Sequence, residues 1–287
     1  KLTDVVRTMV IVRLGEGVDQ TGQFSQAALQ RTFAAADTYA ELIAQHKPTR
    51  VRFVATSASR DVSNRNEFVS GINARLGIEP DVISGDEEAA LSFLGATADL
   101  INEVNPPTAP FLVVDIGGGS TEFVLGATKP TAAISTNVGC VRMTERHLIS
   151  DPPTAAQIAA ATLDIDAAID SAYQAVPVAQ AQSLIGLAGS VTTVAALALN
   201  LSEYDSTQIH GSRITAAAVH QVTQELLTMT RADRAQLGPM HEGRIDVIGA
   251  GALVLDRIMA RTGMAEVVVS ERDILDGIAR ALSDNPS

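Results

Sequence analysis

The stretch Phe111-Leu112-Val113-Val114-Asp115-Ile116-Gly117-Gly118-Gly119-Ser120-Thr121-Glu122-Phe123-Val124-Leu125-Gly126 most constrains how this chain can fold. Two apolar runs of strand length flank three consecutive glycines, so Phe111 to Val114 predicts a buried strand and Phe123 to Leu125 its return beside it. Without Cβ atoms in the turn, an anion can reach the backbone N–H groups, and Ser120 and Thr121 add hydroxyl donors. Gly117, Gly118, Gly119, Ser120 and Thr121 are therefore the candidate holders of a tetrahedral oxyanion. A tight hairpin that needs positive φ is the competing reading of the glycines. Asp115 cannot usefully face phosphate itself, but it can hold Mg2+ or a metal-bound water against one, and Glu122 is a second candidate for that role. The run is not a Walker loop, since no Gly-Lys-Ser/Thr follows the glycines and the turn leads into a strand.

The elements around it alternate in type. Val5, Met9 and Ile11 predict a strand, and Gly15, Gly17 and Gly22 a loose loop after it. Ser25 predicts a helix cap, with Leu29, Phe33, Leu42 and Ile43 at helical spacing through about His46. Val51 to Ala55 and Val82-Ile83 read as strands, with a helix from about Asn66 to Leu76 between them. Gly85 introduces a helix carrying Glu87, Glu88, Leu91 and Leu94, and the sum is an α/β pattern. Three prolines between Asn102 and Pro110 break regular structure, which sets a first domain at 1–104 and a second at 105–287. Beyond the glycine hairpin come a strand near Ala132 to Thr136 and helices from about Val141 and after Asp151-Pro152-Pro153-Thr154. Leu184 to Leu187 predicts a buried strand opening at Gly189-Ser190 into an alanine-rich helix. Helices near 215–230 and 244–261, a strand at Val267 to Val269 and a helix from Asp273 to about Leu282 complete the chain.

Composition excludes several classes of function. A net charge of −12 argues against a reader of duplex nucleic acid, which shows a basic face. The same charge repels a long polyanion, so Arg50, Arg52, Arg60 and Arg65 matter as a local basic segment, and short chains or nucleotides are plausible substrates. No apolar run approaches the ~18 residues that cross a bilayer. One cysteine, Cys140, rules out an internal disulfide and fits a reducing cytoplasm. It reads as a small packed residue. The five histidines have no ligand spacing, so zinc is not expected. Alanine-rich helices offer interface material for a homodimer.

Several further segments carry a resemblance. They are Ala55-Thr56-Ser57-Ala58-Ser59-Arg60-Asp61, Ile83-Ser84-Gly85-Asp86-Glu87-Glu88-Ala89, Gly186-Leu187-Ala188-Gly189-Ser190, Arg244-Ile245-Asp246-Val247-Ile248-Gly249-Ala250-Gly251-Ala252 and Ser270-Glu271-Arg272-Asp273-Ile274-Leu275-Asp276-Gly277. With the glycine turn, in this order, the chain resembles the exopolyphosphatase and guanosine pentaphosphate phosphohydrolase family of the acetate kinase, sugar kinase and actin superfamily. It is most similar to the short members of actinobacterial type, which lack a C-terminal helical phosphohydrolase-like domain. The resemblance implies two ribonuclease-H-like domains, as in actin-like ATPases, with ligand bound in a cleft between them. It also implies an opening β-hairpin with an Asp-x-Gly-(Ser/Thr)-Asn-Ser-type phosphate loop, which these 287 residues do not contain. At least about 15 further residues are therefore expected upstream in the native chain, and weak or absent hydrolysis from these residues alone.

By that resemblance Glu88, the second Glu of its segment, is the general base that activates water from the domain opposite the glycine turn, with Glu87 the alternate. On sequence alone both read as solvated helix residues. Arg60 can form paired bonds to a phosphoryl oxygen, or instead steady its loop through Asp61 or Asp86. Gly189 and Ser190 offer helix N-terminal amides to a further phosphate, or form a plain strand-to-helix turn. Arg244 reaches substrate or makes a surface ion pair. The implied activity is Mg2+-dependent hydrolysis of the terminal phosphoanhydride of inorganic polyphosphate, releasing orthophosphate. Guanosine pentaphosphate hydrolysis is the nearest rival, with guanosine tetraphosphate a further ligand. An actin-like phosphotransferase and a noncatalytic sensor of alarmones or polyphosphate are the rivals from other classes.

Overall fold

The computed structural model describes residues 3–60 and 62–284. They divide into two compact units, one through Gly85 and the other spanning Asp86–Ala281.

The first unit contains α1 (Val18–Thr21), α2 (Gln26–His46), β1 (Val54–Ala55), α3 (Ser57–Arg60), α4 (Arg65–Leu76) and β2 (Asp81–Val82). Ser25 caps α2 as its sequence suggests, its hydroxyl accepting from the Ala28 N–H at 3.1 Å. Leu29 and Phe33 from α2 meet Phe68 and Ile72 from α4 in a small core, and the Phe24 and Phe68 rings pack edge-on at 5.7 Å. β1 and β2 run parallel over two residues each, so the strand expected from Val51 shrinks to the length its partner can match. The strand expected over Val5 to Ile11 is not formed. Val5, Val6, Met9 and Val10 are exposed there, and residues 3–13 take no strand conformation, since an apolar run makes a strand only as part of a ladder.

The second unit follows as α5 (Gly85–Leu100), β3 (Phe111–Ile116), β4 (Thr121–Gly126), β5 (Pro130–Thr136), α6 (Cys140–His147), α7 (Ala155–Ala175), β6 (Ser183–Leu187), α8 (Ala188–Ala198), α9 (Ser206–Ile209), β7 (Arg213–Thr215), α10 (Ala216–Thr228), α11 (Arg231–Arg234), α12 (Ile248–Thr262), β8 (Glu266–Val269) and α13 (Ile274–Asp284). Its six strands form one mixed sheet in the order β5-β4-β3-β6-β8-β7. β3, β6 and β8 are parallel at its centre, β4 and β5 return antiparallel on one side, and β7 closes the other edge antiparallel to β8. The three-residue β7 has no apolar run to announce it; its Arg213 pairs with Glu266 across the ladder.

Period-two alternation sorts the sheet's side chains between two cores. Leu112, Val114, Ile116, Phe123 and Leu125 face a large core built with helices such as α7, α8, α10 and α12. Phe111, Val113, Val124, Ile185, Leu187 and Val268 face the other way, onto Ala89, Phe93, Ala96 and Leu100 of α5. Burial of these α5 side chains against the sheet moves the division of the chain to Gly85, rather than the expected 104/105. The Pro-rich link marks a break between two elements of one unit. α13 packs on α5, where a Cβ on Gly277 would stand 2.0 Å from the Leu91 carbonyl oxygen. No helix of the described residues is long and apolar enough to cross a membrane.

Candidate active site

Alternation along β3 and β4 decides which side chains the site receives. Asp115 lies two residues beyond Val113 and so shares the α5 face; in the antiparallel register it stands directly opposite Glu122. Along α5, Glu88 and Ser92 are one helical turn apart and both are buried. The Ser92 hydroxyl donates to Asp115 Oδ2 at 2.7 Å, and the Ser135 hydroxyl from β5 donates to Glu122 Oε1 at 2.7 Å. Ser135 is itself the register partner of Glu122 on that side.

Glu88 acts on both carboxyls of this rung, and Asp273 acts on Asp115. Burial is the main cause that pushes the Asp115 carboxyl up to about 6; the Ser92 bond opposes it, and the Glu88 and Asp273 charges add to it. Burial also pushes Glu122, which is 1% exposed, up to about 8, followed by the Asp115 and Glu88 charges and opposed by Ser135 and Ser120. Asp115 and Glu122 are the carboxyls of this face that could exchange their protons for a cation. Among the described residues no three His, Cys, Asp or Glu side chains are gathered as a metal cage. Asp115 and Glu122 could hold Mg2+, an ion that keeps its waters and is held by one or two carboxylates plus substrate phosphate.

The glycine turn has a second anchor. Gly117 donates to the Ser120 carbonyl at 3.0 Å, while the carbonyls of Gly117 and Gly118 accept from the Cys140, Val141 and Arg142 amides at 2.9, 2.9 and 3.1 Å. The N–H groups of Gly118, Gly119 and Ser120 have no backbone acceptor among the described residues. None of Gly117, Gly118 and Gly119 has a left-handed φ, so the tight-turn reading does not account for them. A Cβ on Gly117 would stand 3.2 Å from the Ser120 carbonyl oxygen, so packing favours glycine there; one on Gly118 would rest 3.4 Å from a Val141 methyl, an ordinary contact, and packing does not account for that glycine. At Gly118 the missing side chain leaves room beside the free amides. Thr121 and Ser120 are buried, and the Thr121 hydroxyl donates to the Val138 carbonyl at 2.7 Å rather than facing that space.

Parallel pairing places Leu187 of β6 beside Asp115, so the start of α8 opens at the same end of the sheet as the glycine turn. Gly189 lies under the Arg244 guanidinium, which donates to Thr193 Oγ1 at 3.0 Å and sits 5.9 Å from the Tyr204 ring centre. Ser190 packs against Gly251 beside Cys140. Burial pushes the Cys140 thiol up, in keeping with a packed residue.

The structure therefore joins Glu88, Asp115, Glu122 and the glycine turn in one unit, with Gly189 and Ser190 on the neighbouring strand end. Glu88 was expected on the domain opposite the turn; α5 instead belongs to the turn's own unit because its apolar face is buried on the same sheet. Arg60 belongs to the first unit, where its guanidinium donates to the Ile83 carbonyl at 3.3 Å. Its suggested partner Asp61 lies outside the described residues. Sequence reasoning missed Ser92, Ser135 and Asp273. Ser92 was findable as one turn beyond Glu88, whereas Ser135 needs the strand register.

A mixed sheet of this order, with helices on both faces and a glycine hairpin between its first two strands, is the α/β fold of the actin-like ATPase superfamily. Comparison with known proteins narrows this further. A model of the Ppx/GppA phosphatase family matches residues 1–282. The chain is 47% identical over 292 residues to Exopolyphosphatase 2 of Mycobacterium tuberculosis, covering 99% of this chain and 90% of that one. A crystal structure of an exopolyphosphatase-like protein superposes with a TM-score of 0.95 at 44% identity, covering 98% of this chain and 92% of the other. The Ppx/GppA family member of Aquifex aeolicus superposes at 0.78 with 26% identity, covering 100% and 92%. The chain belongs to the Ppx/GppA phosphatase family.

Proposed function

We propose that this protein is an exopolyphosphatase that hydrolyses the terminal phosphoanhydride of inorganic polyphosphate and releases orthophosphate. The observation that carries the reading is the row of free amides at Gly118, Gly119 and Ser120 set beside the buried Glu88 and Glu122 and the half-buried Asp115. Neutral donors are suited to bind a phosphoryl group in a site whose side chains are acidic, where an arginine would instead be neutralised by the carboxylates. Kinship at 47% identity to a protein named an exopolyphosphatase supports the same reading.

In this reading the main-chain N–H groups of Gly118, Gly119 and Ser120 hold the scissile phosphoryl group. Glu88 orients the attacking water and takes its proton, a role that suits a carboxylate anchored by a helix. Asp115 and Glu122 are the residues that would hold Mg2+, which when bound neutralises charge on the phosphate oxygens. Ser92 and Ser135 fix the directions of those two carboxylates. Gly189, Ser190 and Arg244 take a neighbouring phosphate of the chain, using helix N-terminal amides and a guanidinium. The reducing cytoplasm and a homodimer remain part of the proposal on the sequence arguments above.

The test is a phosphate-release assay comparing short polyphosphate, long polyphosphate, guanosine pentaphosphate and ATP, with and without Mg2+. Release from polyphosphate that depends on Mg2+ is the expected result. Preference for guanosine pentaphosphate would move the assignment to the family's other activity, and ATP turnover that needs an organic acceptor would make the protein a phosphotransferase. Tight binding without release would make it a sensor.

A further inference from the structure

Each peptide unit is planar and trans, so a carbonyl and the N–H of the following residue point in opposite directions. Fixing the carbonyls of Gly117, Gly118 and Gly119 therefore aims the amides of Gly118, Gly119 and Ser120 the other way. The first turn of α6 fixes all three. Main-chain amides of Cys140, Val141 and Arg142 hold the first two carbonyls. The third is held by a side chain: Arg142 Nε donates to the Gly119 carbonyl oxygen at 2.7 Å. Gly139 lets the helix come this near, since a Cβ there would lie 2.5 Å from the Gly118 oxygen.

We propose that Arg142 is a positioning residue of this active site: through its Nε–H it fixes the Gly119–Ser120 peptide, so that the Ser120 amide, with those of Gly118 and Gly119, meets the phosphoryl oxygens. This rests on the phosphate-hydrolysis reading for what the amides hold. Main-chain ties to Gly117 and Gly118 survive almost any substitution in α6, but the tie to Gly119 depends on one replaceable group. The relevant property of Arg142 is a donor at the fourth side-chain atom from Cα, not its positive charge. Glutamine places an N–H at that same count of bonds, methionine matches the length without a donor, and lysine keeps the charge with its nitrogen one bond further out.

The experiment measures kcat and KM for polyphosphate hydrolysis in the full chain carrying Arg142→Gln, Arg142→Met or Arg142→Lys. Calorimetric affinity for tripolyphosphate in the presence of EDTA and the thermal midpoint are recorded for each. Arg142→Met is expected to lose roughly tenfold to a hundredfold in kcat/KM, the scale of a misplaced binding group, with kcat falling more than KM rises. Arg142→Gln is expected to regain most of that loss. Glutamine no better than methionine overturns the proposal, whether or not lysine restores activity; rescue by lysine alone would mean that the charge acts on substrate directly. If the wild-type chain binds tripolyphosphate but releases no phosphate, the hydrolase reading fails by itself, and the rank of glutamine over methionine in affinity still decides the role of Arg142. Wild-type protein with neither property overturns both.

Discussion

Asp115 and Glu122 face one another across the second rung from the glycine turn, one partly exposed and the other sealed, each tied to a serine and both raised in pKa by burial and by neighbouring acids. The sign of the resulting pH effect follows from proton counting. Both carboxyls hold protons in the folded state at pH values where the unfolded chain has released them, so the stability they confer is full below about 4 and is lost as pH rises through about 6 and about 8. Metal-free protein is therefore expected to show a thermal midpoint that declines between pH 5 and 8. Glu122→Gln should flatten that decline, and Mg2+ should restore the midpoint at pH 8 by taking the place of the proton. A midpoint that climbs steadily over this range, followed by scanning calorimetry, would mean that the pair is not buried as acids.

Glu88→Gln keeps the shape of the side chain and removes the charge. Turnover should fall about a hundredfold or more, the scale for loss of a general base, with tripolyphosphate affinity preserved. Because the Glu88 charge raises both neighbouring carboxyls, its removal should leave the thermal midpoint unchanged or higher. Steady-state kinetics beside calorimetry separate the two effects, and wild-type turnover in this variant would take Glu88 out of the mechanism.

The hairpin was legible because its signal is local: apolar runs set the strands, and glycines with adjacent hydroxyl residues set the turn. Helix caps such as Ser25 and the strand at Val267 to Val269 were legible for the same reason. What the sequence hid depends on pairing. Whether Val5 to Ile11 forms a strand depends on a ladder partner, which apolar alternation does not supply. The assignment of α5 to the second unit depends on Phe93, Ala96 and Leu100 finding Val113 and Ile185, contacts between segments separated by a proline-rich link that looked like a boundary. Ser135 reaches the site only through the β4–β5 register. Nothing in the sequence marks Arg142, since its hydrogen bond goes to a carbonyl more than twenty positions earlier in the chain.

Close approach of α5 and α13 gives a stability test. Alanine is intrinsically better than glycine in a helix by about 0.5–1 kcal/mol, so Gly277→Ala would stabilise α13 if nothing stood in the way. Its Cβ would meet the Leu91 carbonyl oxygen at 2.0 Å, and backbone does not yield as a side chain does. We expect a net loss of about 1–3 kcal/mol in urea unfolding, the usual cost of overpacking. Because α5 also carries Glu88 and Ser92, kcat should fall as well. A more stable variant would show that the two helices are less closely packed.

Gly139 tests the support of the glycine turn from the opposite direction. Its backbone is extended, with φ −158° and ψ 165°, a conformation open to any residue, so alanine incurs no backbone strain there. What it meets is the turn itself: the new Cβ would lie 2.5 Å from the Gly118 oxygen, 2.6 Å from its carbonyl carbon and 2.8 Å from the Gly117 oxygen. Relief requires the turn and the start of α6 to separate, which loosens the carbonyl ties and lets the three amides swing. Gly139→Ala should therefore lose roughly a hundredfold in kcat/KM, the order expected for displacing a binding group by about an ångström. Gly118→Ala, whose Cβ finds only a Val141 methyl at 3.4 Å within the protein, should fold as well as wild type yet bind tripolyphosphate more weakly, because its methyl group enters the space left for phosphate. Kinetics, calorimetric affinity and thermal midpoints of the two variants distinguish these cases, and equal behaviour of both with the wild-type protein would remove the turn from the site.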